Sequence, residues 1–140
     1  MNPIITEKQN SLQLFQIVEK LVRSSQQSID KSHSCVVNDI PEDLLVKTNF
    51  DFLSTVLGGM LGIAIVHAKD SCIRISASLK SNMVMVNLRD YNRFNSYSNP
   101  SGLQYIQSVA AKLGGTLAVA GMRQGEKTIA LSFPYHQDAA

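Results

Sequence analysis

Apolar and polar positions follow two rhythms along the chain, and the switches between them mark the elements. Leu14, Val18, Leu21 and Val22 recur at helical spacing among Gln13, Gln16, Glu19, Lys20 and Arg23, which predicts one amphipathic helix over residues 11–32. Residues 35–37 read as a short strand, 38–43 as a turn punctuated by Pro41, and 44–47 as a second short strand. Thr48, three residues before Asp51, has the spacing of a capping-box start. Beyond it Leu53, Val56, Leu57, Met60, Leu61, Ala64 and Ile65 hold the helical period over three turns. Period two then takes over: 71–79 and 83–88 alternate on either side of Lys80-Ser81-Asn82, an antiparallel hairpin. Residues 90–100, DYNRFNSYSNP, have no period and read as a loop. A third helix over 101–113 turns Leu103, Ile106, Val109 and Ala110 inward and stops at Gly114-Gly115. Residues 116–120 and 127–133 close the chain as a last hairpin.

Three helices alternating with three strand pairs predict an α+β fold, a two-layer sandwich with the helices on one face of a mixed, mostly antiparallel sheet. One domain is expected over 11–134, between a polar segment at 1–10 and a tail at 135–140. Composition agrees: 140 residues with 44% hydrophobic and 17% charged can bury a core, unlike a disordered or disulfide-stapled chain. The 13 basic residues are scattered against 11 acidic ones, for a net charge of +2, so the basic stripe of a nucleic-acid binder is missing. The N-terminal MNPIITEKQN has no apolar signal core. The most apolar stretch, 52–68, is periodic and carries Gly58, Gly59 and Gly62, which fits a core helix and not a membrane span. Cys35 and Cys72 lie far apart with no CxxC or Cys/His spacing, so they are expected as buried free thiols in a cytoplasmic protein, with no metal.

The element order, with VVNDIPEDLLVKTNFDFLSTVLGGMLGIAIVHA, GLQYIQSVAAKLGGTLAV and the terminal TIALSFP, resembles the catalytic ATP-binding domain of sensor histidine kinases. These domains belong to the Bergerat-fold superfamily that includes Hsp90 and gyrase. The resemblance spans about residue 11 to Pro134 and implies the same two-layer fold. It implies an asparagine box on the second helix, whose second Asn binds the Mg²⁺ that bridges the ATP phosphates. Here that box reads Gly59-Met60-Leu61-Gly62-Ile63-Ala64. Ile63 stands at the metal position and offers a hydrocarbon where a hard cation needs oxygen. Gly59 takes the upstream position, Val66 the usual Lys or Arg, and His67 matches the residue that often closes the box.

The family's Asp-x-Gly-x-Gly motif, whose Asp accepts the adenine amino group, corresponds to Asp90-Tyr91-Asn92-Arg93-Phe94, with the Asp kept and both glycines lost. Of the Gly-x-Gly-Leu phosphate loop, Gly102 and Leu103 remain, and Thr128 falls within the former Gly-Ser/Thr-x-Phe segment. No phospho-accepting His motif is present. Three glycines in one helix each cost about 0.5–1 kcal/mol against Ala, so they need a reason. Gly58 and Gly62 suit close packing on the sheet; Gly59, Ile63 and Val66 line the face that looks into the nucleotide pocket in relatives. A small apolar stripe there means either that the pocket has collapsed and filled, the favoured outcome, or that the face binds an apolar partner.

The resemblance therefore implies a catalytically degenerate, stand-alone relative of these ATPase domains, a signalling or scaffolding module with no catalytic residue and no cofactor. Its expected partner is a kinase, a phosphotransfer protein or a response regulator, with no nucleic acid and no membrane. The alternative is a residual ATP-binding kinase subunit or kinase fragment, using ATP and Mg²⁺. A phosphotransfer adaptor would need a helical bundle, which a homodimer through residues 11–32 would supply.

Overall fold

Five strands carry the molecule. The computed structural model describes residues 11–68, 70–90, 102–123 and 126–135, with the backbone alone at His67, 120–123 and 126–127. In chain order the elements are β1 (Ser11–Gln13), α1 (Leu14–Ser24), α2 (Gln26–Lys31), β2 (Cys35–Asn38), β3 (Leu45–Lys47), α3 (Phe50–His67), β4 (Cys72–Lys80), β5 (Met83–Asp90), α4 (Leu103–Lys112), β6 (Thr116–Arg123) and β7 (Glu126–Pro134). The main sheet has the order β2-β4-β5-β7-β6, parallel only between β2 and β4; β1 and β3 form a separate antiparallel ribbon. The expected α+β sandwich is what forms, with the helices over one face of this mixed sheet.

Strict alternation explains why one face is dry. Val84, Val86 and Leu88 of β5 and Ile129, Leu131 and Phe133 of β7 are buried, whereas their neighbours are half-buried or exposed. Cross-strand partners Val84↔Phe133, Val86↔Leu131 and Leu88↔Ile129 bring these side chains onto one face. Leu53, Val56, Leu57, Met60, Leu61, Ala64 and Ile65 of α3 complete the core between the layers. Each fully buried aliphatic side chain stabilises this layer by about 1.5–3 kcal/mol. α4 ends on Gly114 at φ 78°, the left-handed terminator. Gly115 follows because a Cβ there would lie 2.0 Å from the Ser132 carbonyl oxygen.

Several boundaries differ from the sequence reading. The helix expected over 11–32 is three elements. Residues 11–13 pair with β3 in the register Ser11↔Lys47 to Gln13↔Leu45, and the helix breaks at Ser25. Ser24 Oγ donates to the carbonyls of Lys20 and Leu21, at 2.9 and 3.2 Å, and Ser25 leaves the helical region at φ −102°, ψ 8°. Such hydroxyls compete with the helical ladder. The cap of α3 is Asn49, whose Oδ1 accepts the Phe52 N–H at 3.0 Å. Thr48 is instead fully buried, and its Oγ1 has no hydrogen-bond partner among the described residues.

The largest correction concerns the cysteines. Cys35 and Cys72 are disulfide-bonded and not free thiols. They are direct register partners on the parallel pair β2–β4, a neighbourhood that their separation of 37 residues does not reveal. Among the described residues, no helix is long and apolar enough to cross a membrane.

Candidate functional site

The 18-residue α3 is apolar on nearly every side, so its hydrophobic pattern does not by itself separate the face in the core from the face left open. One side faces the sheet. The other carries Thr55, Gly59, Gly62, Ile63 and Val66, spaced i, i+4, i+7, i+8 and i+11, and looks across at the first turn of α4. The two helices run in opposite senses, for Lys112 at the end of α4 places its Nζ 5.6 Å from the ring centroid of Phe52 at the start of α3. Between the C-terminal half of α3 and the N-terminal turn of α4 lies a groove of about 400 Å³, lined by the α3 stripe together with Gly102, Tyr105 and Ile106.

The glycines divide the groove into a filled and an open part. A Cβ on Gly59 would sit 2.3 Å from Cγ2 of Ile106, so the α4 side chain occupies the space that any residue other than glycine would need. Gly62 would meet nothing within 4 Å, and Gly58 would meet only Leu21 Cδ2, at 3.6 Å on the α1 side. The close approach thus belongs to Gly59 and not, as expected, to Gly58 and Gly62. Collapse is partial: Ile106 fills one end, and the groove stays open past Gly62. Ile63 is nearly buried, whereas Val66 and Tyr105 remain 79% and 64% exposed.

Of the residues singled out from sequence, Gly59, Ile63, Val66 and Gly102 come together here. Gly102 caps α4 at φ 84°, a left-handed conformation that needs glycine. Leu103 begins α4 half-buried and packs against the core. Asp90 is not in a loop: it ends β5, fully buried, opposite Ile73 and Lys127, on the face that turns toward the helices. Thr128 pairs with the exposed Arg89, so strand alternation puts it on the outer face, away from Asp90. The His67 side chain and residues 91–101, including Asn92 and Phe94, lie outside the described residues. Sequence reasoning missed Thr55, Tyr105 and the lining role of Ile106. Thr55 lay one turn upstream of Gly59 on the same stripe and was legible there; the α4 pair depends on how the two helices pack.

The donor chemistry of the groove is sparse. Its described lining side chains offer two hydroxyls, from Thr55 and Tyr105, and no carboxylate, amide or imidazole. Mg²⁺ takes an octahedral shell of oxygens, bound through one or two carboxylates together with waters and substrate phosphates in most protein sites. These residues do not fit that requirement. Among the described residues no cluster of three His, Cys, Asp or Glu side chains could hold a metal ion.

No family model and no curated protein matches the sequence. Solved structures do match in shape. The catalytic domain of the histidine kinase ThkA, in a nucleotide-free form, superposes with a TM-score of 0.78 at 16% identity, covering 91% of this chain and 95% of that one. The histidine kinase AdeS of Acinetobacter baumannii gives 0.79 at 14% identity, over 92% of this chain and 69% of that one. Full-length ShkA, solved in complex with AMPPNP, gives 0.77 at 13% identity, over 94% of this chain and 32% of that one. ThkA in complex with the response regulator TrrA gives 0.72 at 15% identity, over 91% of this chain and 42% of that one. The protein therefore has the fold of histidine kinase catalytic ATP-binding domains.

Proposed function

We propose that the protein is a catalytically degenerate histidine-kinase-like domain that acts by protein contact in a two-component type of pathway. One observation carries the reading. Ile63 stands at the position of the metal ligand, with Gly59 upstream of it and Val66 at that of the box's usual Lys or Arg, and Ile106 fills the space beside Gly59. Phosphoryl transfer depends on metal ions to neutralise charge developing across the phosphates. Replacing the oxygen ligands by hydrocarbon removes that support, and a single oriented electrostatic contact is often worth about 10²–10³ in rate. The partner is a kinase, a phosphotransfer protein or a response regulator; the last is supported by the likeness to ThkA, which was solved in complex with the response regulator TrrA.

The test is a titration of the protein with a fluorescent ATP analogue and millimolar Mg²⁺. No saturable binding is expected. Saturation that plain ATP competes away overturns the reading. A second reading, a residual nucleotide binder, is favoured by the complete burial of Asp90 on the helix-facing side of the sheet. It requires that saturable binding appear and that Asp90→Asn abolish it while leaving the melting temperature close to that of the parent.

A further inference from the structure

The β2–β4 seam holds a device that the kinase-like reading does not use. β2 is the edge strand of the main sheet, four half-buried residues long, and it makes the sheet's one parallel pairing among the described residues. It also carries the N-terminal helices: Asn38 Nδ2 donates to the Phe15 carbonyl at 3.2 Å and to Glu19 Oε2 at 3.0 Å, both on α1. Backbone bonds lace the seam from end to end. Asp70 N–H reaches Ser32 O at 2.9 Å, Cys35 N–H reaches Ser71 O at 3.0 Å, and Asp39 N–H reaches Ile75 O at 2.8 Å.

Cys35 and Cys72 face each other across this seam with Cα atoms 4.6 Å apart. Neighbouring strands lie about 4.7–4.9 Å apart in any sheet, and a disulfide accepts about 4.4–6.8 Å. The strand pairing therefore holds the two Cα atoms at a separation that a disulfide accepts, so the bond can re-form wherever the β2–β4 pairing is in place. Cys72 is exposed and Cys35 half-buried, which gives a thiolate access to one sulfur. Buried structural disulfides resist reduction, whereas exposed ones are the labile class. The bond closes a loop that contains β3 and α3, so its loss acts on a long segment of chain.

We propose that Cys35–Cys72 is a reversible redox clasp on the edge strand, opened by a dithiol of the thioredoxin or dithiothreitol type. One thiolate of the reductant attacks Cys72 Sγ; the Cys35 sulfur leaves and takes up a proton. The reductant's second thiolate then attacks its own sulfur in the mixed disulfide, and the Cys72 sulfur leaves and is protonated. Two electrons and two protons pass to the protein, and the reductant ends as its disulfide. Opening loosens β2 and the α1–α2 segment it carries, while β5 and β7 stay closed.

The experiment uses the full chain, air-oxidised, in native buffer with and without dithiothreitol. Alkylation and mass measurement count free thiols, and amide exchange reports local opening. Without denaturant, both cysteines are expected to become alkylated in reductant and neither without it. Amides of Cys35, Asp39 and Asp70 should then gain exchange rate about tenfold or more relative to those of β5 and β7, which stay protected. Removing the reductant and reoxidising should restore protection. The melting temperature should fall by roughly 5–15 °C. Cys35→Ser with Cys72→Ser should show the reduced pattern in both buffers. Free thiols in the oxidised protein, a bond that reduces only in denaturant, unchanged exchange in β2, or loss of protection throughout the sheet would each overturn the proposal.

Discussion

The two long sides of α3 are alike in hydrophobicity and opposite in what they meet. On the sheet side Leu53, Val56, Met60 and Ala64 are at most 1% exposed. On the other side Gly59 meets Ile106, Gly62 meets nothing within 4 Å, and Val66 stands in solvent. The first side must match the sheet in volume, because cores are packed like crystals and notice a single methylene. The second carries little of that load, so its residues can change character while the fold persists. The two faces of this helix therefore differ in how far packing constrains them.

The contrast can be broken by substitution on either face. Met60→Ala should cost about 2–5 kcal/mol, the range for truncating a buried aliphatic side chain, seen as a lower denaturation midpoint at unchanged slope; a cost below about 1 kcal/mol would mean that the sheet side is not tightly packed. Gly59→Ala sits at the filled end of the groove and should destabilise by about 1–3 kcal/mol through overpacking. Adding Ile106→Ala should relieve much of that cost, and strict additivity of the two changes would remove Ile106 as the obstacle. Gly62→Ala has free space and should stabilise by about 0.5–1 kcal/mol from helix propensity alone. A lower melting temperature for Gly62→Ala would show that the open end of the groove is needed by the fold.

Much of the architecture was legible in the sequence because it is periodic. The alternation in Ile73 and Ile75, and again in Val84, Val86 and Leu88, specified a hairpin and its buried face, and the α3 pattern specified the core residues found there. Failures came where a segment was too short to show a period or where the partner was distant. Leu12 and Leu14 fit a strand or a helix equally well, and only the pairing of residues 11–13 with β3 separates them. Asp90 read as a loop residue because the polar run after it masked the end of β5. The cysteine bond required knowing that β2 and β4 are neighbours, which is a property of the sheet order and of no local spacing. The groove was half legible: its α3 wall is a stripe, but Tyr105 and Ile106 enter through interhelical packing.

The small β1–β3 ribbon has a topological consequence. Ser11 is paired with Lys47, and the Lys47 N–H donates to the Tyr135 carbonyl at 3.3 Å. Two hydrogen-bonded steps therefore separate position 11 from position 135, roughly 10 Å at ordinary strand spacing. The first and last described residues thus meet at one corner of the fold. A short peptide bridge across that corner would permit circular permutation with the interior left intact.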